Sequence, residues 1–275
     1  MKALSGKLMP VAALIAAIAC GVVRFFQMMS LTELDTGFFI RGSEVGGAVI
    51  YIMLAVFAVV LCALAFIGNK RGADAFTLSS DGMGSNATRV LGIAEIFGAF
   101  LIGLHVTDID AAPMTMIFSG AAALALFVSG GMLMARVIPP RMTGHLKLAA
   151  AVYMFIHTAG YFNSDLVVLH HAEHLIVLIA DVCAVVFLLG YARFCARLET
   201  TRSRLGEVIF AIITFLPSAT HLISELLAKA FGGKAVSEFA SLDYDACAAA
   251  VISGAFLAVL FFTEKNKEIV PIADE

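Results

Sequence analysis

Tryptophan is missing from this chain and charge is scarce: none of the 275 residues is Trp, and only 14% are Asp, Glu, Lys or Arg. A soluble domain carries about 25% charged residues. With 61% hydrophobic residues, a single core of limited volume would leave much apolar surface in water, which excludes an ordinary soluble globule. The net charge of −3 supplies no basic face for phosphates, so no nucleic acid partner is expected. The five cysteines (Cys20, Cys62, Cys183, Cys195 and Cys247) stand singly in the sequence. Without a CxxC or similar spacing, they support neither a disulfide framework nor a thiolate metal site. A P-loop and a serine nucleophile elbow are also lacking, which excludes ATP-driven pumping by this chain alone. Long linkers and low-complexity segments are absent too, so residues 1–275 read as one integral membrane domain.

What the chain does have is long apolar runs. A spanning helix needs about 20 predominantly apolar residues, and eight stretches qualify: 8–29, 47–68, 89–107, 113–136, 147–163, 167–192, 206–229 and 243–263. The fold class expected is an all-α bundle of about eight transmembrane helices. Lys and Arg in the connections set its orientation. One set of alternate connections and the two termini hold fourteen of these residues, Lys147 among them. The opposite side holds Arg41, Lys229 and Lys234. This alternation places both termini in the cytoplasm, with the bacterial cytoplasmic membrane as the expected location. The run ending Ala17-Ile18-Ala19-Cys20 has the outline of a lipoprotein cleavage site. The chain stays apolar through Val22, Val23, Phe25 and Phe26, so the segment is expected to remain as the first span. Arg89-Val90-Leu91-Gly92 and Arg204-Leu205-Gly206 open the third and seventh spans alike, which suggests two four-helix halves in parallel orientation.

Ionisable side chains inside hydrocarbon cost about 2.5–3.5 kcal/mol each and usually face a bundle interior. The candidates are Arg24, Glu95, Asp181, Glu225 and six histidines: His105, His157, His170, His171, His174 and His221. The expected orientation puts all six in the outer half of the membrane or at its outer surface, which favours one shared outward-facing site. On the sixth span, His170, His174 and Asp181 fall within about 40° of one helix face, Asp181 lying about 10 Å deeper. His170 and His174 are one turn apart and suited to hold an ion, a divalent cation such as zinc being the expected kind. His221 and Glu225 form a second pair of the same spacing. Pro217 just before them removes a backbone donor and is expected to break the helix, as at transporter substrate sites. Tyr153, His157 and Tyr161 share a stripe on the fifth span. The metal candidates are therefore His170, His174, His221 and Glu225, and the pathway candidates are His157, Asp181, Glu95 and Arg24.

Two alternative chemistries follow from the same residues. His170-x-x-Glu173-His174 matches the H-x-x-E-H pattern of the inverzincin metallopeptidases over five residues, with Glu173 as the catalytic group beside a zinc-bound water. No third ligand is assigned, although Glu225 or Asp243 would serve. A haem held between His157 and either His174 or His221 is the other alternative, without a CxxCH signal to support it. A non-catalytic membrane subunit remains open as well.

Near the outer end of the first span, Arg24-x-x-Gln27 is followed by Thr32-Glu33-Leu34-Asp35-Thr36-Gly37-Phe38-Phe39. Arg24 is expected to snorkel to Glu33 or Asp35. This stretch resembles a group of uncharacterised bacterial multi-pass proteins with an Arg-x-x-Gln helix end, an acidic residue and Thr-Gly-Phe. Glu33 takes the acidic position three before Thr36. The resemblance covers about 16 residues and the span layout, and implies no activity. The sequence as a whole favours a cation- or proton-linked transporter or sensor for a small solute or ion over an enzyme.

Overall fold

The computed structural model describes residues 4–33, 39–40, 42–71, 85–104, 113–135, 140–164, 172–196, 201–240 and 242–262. These are helical apart from short connections and one isolated antiparallel bridge, Thr32 to Phe39. The long helices are α1 (Leu4–Ser30), α2 (Glu44–Arg71), α3 (Ser85–Gly103), α4 (Pro113–Ala135), α5 (Pro140–Ser164), α6 (Ala172–Cys195), α7 (Thr201–Phe231) and α9 (Tyr244–Phe262). A short helix, α8 (Gly233–Phe239), lies between the last two.

Each expected span coincides with a long helix, but among the described residues six helices are long and apolar enough by themselves to cross a membrane: α1, α2, α3, α4, α6 and α7. The fifth stretch was expected over 147–163. Its helix begins at Pro140 and carries Arg141, His145, Lys147 and His157 along its length. The apolar part of α9 is shorter, Tyr244–Val259. Both helices carry polar side chains that the rest of the bundle buries, so their own hydropathy understates how well they fit inside it.

Burial runs opposite to that of a soluble protein. Arg24, Glu95, Lys147, Asp181, Glu225 and Asp245 are buried, whereas Ile15, Phe26, Ile52, Val59, Phe100, Ile117, Leu124 and Phe155 are exposed. Lipid accepts the apolar exterior at no cost, and the interior gathers the ionisable groups. With the six long apolar helices, this marks a multi-pass membrane protein.

Six helices form a closed circuit. α3 packs on α4, α4 on α5, α5 on α6, α6 on α7, α7 on α9, and α9 back on α3, while α6 also touches α9 across the middle. α1 and α2 pack together on the outside of α7, so α7 is shared by the circuit and the outer pair. The two helices of the internal sequence echo, α3 and α7, both lie against α9.

Small residues let these helices approach closely. Without a hydrophobic drive between helices in lipid, close backbone contact is a main source of attraction. A Cβ on Gly92 of α3 would stand 2.6 Å from the Gly130 carbonyl of α4, and one on Gly130 would stand 2.6 Å from the Gly92 carbonyl. Gly21 of α1 sits against Ile223 of α7, and Gly254 of α9 against Phe215 of α7.

Pro217 does not break α7, which runs from Thr201 to Phe231 without interruption. The expected break does not form because α1, α2, α6 and α9 surround this helix. A lost backbone bond is tolerated in a membrane helix held by its neighbours.

The first loop is held by backbone pairing. Ile40 donates to the Leu31 carbonyl at 2.8 Å, and Ser43 Oγ donates to the Ile40 carbonyl at 2.6 Å. The ring of Phe39 lies where a Cβ on Gly47 of α2 would be, so only glycine admits it. Gln27 Nε2 donates to the Gly46 carbonyl at 2.7 Å, tying α1 to the start of α2. Gln27→Ala should cost about 1 kcal/mol and speed amide exchange at residues 39–47 while leaving α3 to α9 unchanged. Equal exchange in the two proteins would show that the side chain does not hold the loop. Leu34 to Phe38 and Arg41 lie outside the described residues, including the Asp35, Thr36 and Gly37 of the sequence motif.

Candidate ionisable site in the helix circuit

The site begins with the way α9 starts. Asp243 caps the helix, its Oδ1 accepting the Ala246 N–H at 2.8 Å and its carbonyl accepting the Cys247 N–H at 3.0 Å. Asp at the cap and a second acid, Asp245, in the first turn are what a helix N-terminus favours, since both answer its unsatisfied N–H groups and positive dipole end. The same preference places two carboxyl groups where α5, α6 and α7 approach α9.

Three of these helices contribute to one cluster. Tyr153 of α5 donates its hydroxyl to Asp245 Oδ2 at 2.8 Å. His157, one turn further along α5, brings Nδ1 to 3.1 Å from the same oxygen and to 3.9 Å from Asp181 Oδ2 of α6. The Tyr153 and His157 rings stack at 5.8 Å. Asp181 is fully buried, and neither of its carboxyl oxygens has a hydrogen-bond partner among the described residues. Asp243 and Asp245 are close enough to repel a charge on it. His157 retains a 16% exposed side chain, which gives the cluster a partly open member.

A neighbouring group belongs to α7 and α1. His221 Nε2 accepts the Asp243 N–H at 3.2 Å, and its Nδ1 lies 3.9 Å from Glu225 Oε1. Arg24 of α1 is buried and acts electrostatically on His221 and on Tyr51 of α2. Arg24 thus lies within the bundle, and Asp35, one of its two expected carboxylate partners, falls outside the described residues.

A second buried cluster occupies a different level. Lys147 Nζ of α5 donates to Ser129 Oγ of α4 at 2.6 Å and lies 3.1 Å from Glu95 Oε1 of α3. Tyr191 of α6 donates to the same Glu95 oxygen, and the ammonium sits 4.9 Å from the centre of the Tyr191 ring. One ion pair therefore joins α3, α4, α5 and α6. Ten residues separate His157 from Lys147 on α5 and Asp181 from Tyr191 on α6, about 15 Å on each helix. Between the levels stand Phe187 and Phe256, in edge contact at 5.5 Å, with Phe256 also against Tyr191 and Phe194.

These positions sort the sequence candidates. Of the pathway residues, His157 and Asp181 meet, Glu95 belongs to the lysine cluster, and Arg24 stands beside His221. Lys147 requires correction: counted among the cytoplasmic loop charges, it is buried in α5 and paired with Glu95, which leaves thirteen charges against three for the orientation argument. Of the metal candidates, His221 and Glu225 are together on α7. His174 and the alternative catalytic residue Glu173 stand in the first turn of α6, and His170 lies outside the described residues, as do His105 and His171. Among the described residues, no three His, Cys, Asp or Glu side chains are arranged to hold a metal ion. The rings of His157 and His221, the described haem candidates, are each turned onto the start of α9.

Sequence reading missed Asp245 and Tyr191 as site residues. Asp243-Tyr244-Asp245 before an apolar run was a legible helix start, but no spacing announces that α9 begins beside α5 and α6. No family model, no curated protein and no solved structure matches this chain.

Proposed function

We propose that this protein is a cation- or proton-linked membrane transporter whose coupling ion binds at Asp181, His157 and Asp245. The observation that carries the reading is Asp181, wholly buried with both oxygens unmatched by a hydrogen-bond donor among the described residues. A bare carboxylate in such a place costs several kcal/mol, and two further aspartates beside it raise that cost. A purely structural role would have given Asp181 a donor, as Glu95 has in Tyr191 and Lys147. A group that takes up and releases a positive ion needs its oxygens left open.

The reading includes eight spans with both termini in the cytoplasm, so that the start of α9 faces outward. The thirteen-to-three bias of basic residues supports it, as does the polar interior that lets α5 and α9 span beside six apolar helices. A reporter fused to the carboxyl end should be active on the cytoplasmic side only. Activity outside the cell would invert the arrangement.

The functional test uses proteoliposomes under an imposed proton or sodium gradient, screened with small solutes. Wild type should drive a flux that Asp181→Asn reduces to that of empty vesicles. Equal fluxes in the two proteins would remove Asp181 from the coupling site.

A further inference from the structure

The coupling site discriminates between positive ions by what surrounds Asp181. From α5 it faces His157 and Tyr153, and from α9 it feels Asp243 and Asp245. On α7, His221 binds the Asp243 N–H and Glu225 lies beside it. A hard metal ion takes about six to eight oxygens that converge on one point. Here an imidazole nitrogen lies between the two aspartates, a phenol donates into Asp245, and the N–H end of α9 adds positive potential. Among the described residues, no metal-ligating trio converges. The Tyr153 hydroxyl and the N–H end of α9 thus donate into space where a metal would need acceptors, and the one imidazole nitrogen falls short of a full ligand set. A proton needs only one acceptor at a time.

Resting on the transporter reading above, we propose that the coupling ion is the proton, held on Asp181 as the neutral acid and passed by His157 to Asp245. The same nitrogen, Nδ1, faces both carboxyls, at 3.9 Å and 3.1 Å, so a small ring movement suffices. Transfer starts from the imidazole with its hydrogen on Nε2. The O–H bond of Asp181 breaks as an N–H bond forms on Nδ1, leaving a carboxylate and an imidazolium. That N–H bond then breaks as Asp245 Oδ2 takes the proton, and the imidazole returns to neutral. Charge is conserved at each step, and Tyr153 swings its hydroxyl hydrogen away from Oδ2 when the proton arrives. His157 is the relay because its ring nitrogen faces both carboxyls and an imidazole nitrogen can accept a proton and then donate it.

Infrared difference spectroscopy on the full chain in lipid vesicles tests this. Wild type near neutral pH should show a protonated-carboxyl stretch that shifts in D2O and is lost in Asp181→Asn. In His157→Gln the band should remain, but after a pH jump its decay should slow by about 10²-fold. Sodium, lithium or magnesium at constant pH should leave the wild-type band in place. If a metal ion removes it saturably, the coupling ion is that metal and the proton assignment falls while the transporter reading stands. A wild type with no such band between about pH 5 and about pH 9 overturns the assignment outright, as does unchanged decay in His157→Gln. Should Asp181→Asn fail to fold, the wild-type salt series and His157→Gln still decide. The transporter reading fails by a separate result, a gradient-driven flux that Asp181→Asn leaves intact.

Discussion

Lys147→Met should destabilise the bundle by about 3–5 kcal/mol, the usual cost of removing one partner from a buried ion pair. The ammonium and Glu95 are both fully buried at 3.1 Å, so the variant leaves a carboxylate in a low-dielectric interior with the Tyr191 hydroxyl still donating to it. Ser129 Oγ loses its donor in the same step. The penalty comes from the orphaned charge, and removing both charges should relieve it. Glu95→Leu combined with Lys147→Met is expected to regain most of the lost stability, since a buried pair is often replaceable by apolar side chains of similar volume. Unfolding of the three proteins in the same detergent measures the coupling. A double variant no more stable than Lys147→Met would mean that the clamp acts through packing alone.

Gly92→Leu or Gly130→Leu should disrupt the α3–α4 contact more severely than an ordinary core substitution. Overpacking typically costs about 1–3 kcal/mol when side chains can shift. Here the obstacle is backbone: each added Cβ would meet the partner helix's carbonyl at 2.6 Å, and the helices must separate. The circuit through α4 and α5 would open with them, so the lysine clamp should weaken too. Gly131 provides the control, because a Cβ there meets nothing within 4 Å. Gly131→Leu is expected to keep the wild-type melting temperature and a monodisperse profile, while Gly92→Leu loses both. If the two variants behave alike, the close approach is not what joins these helices.

The candidate residues differ in how plainly the chain itself marks them. Asp181 and His157 announced themselves, because an ionisable group within an apolar run is expensive and points inward wherever the helix ends up. Lys147 did not, for a converse reason: a lysine near the end of a run is most simply a loop charge, and only Glu95, fifty-two positions earlier in the chain, makes its burial tolerable. Pro217 misled, since proline chemistry is local whereas the packing that keeps α7 continuous comes from four other helices. Asp245 was hidden within an unremarkable helix start.

By itself, the sequence determined that the chain is helical, that most of its helices are apolar enough for lipid, and which side chains had to avoid that lipid. Those properties depend on residue type and spacing along a single helix, where hydrocarbon length and the cost of charge leave few options. Which inward-facing groups meet was decided only by the closure of α3, α4, α5, α6, α7 and α9 into a circuit. Partner choice depends on close approaches between helices, whether successive (Gly92 to Gly130) or far apart in the chain (Gly21 to Ile223), and no pattern within one helix encodes them. The pairing of Asp181 with His157, and of Lys147 with Glu95, is a consequence of that packing.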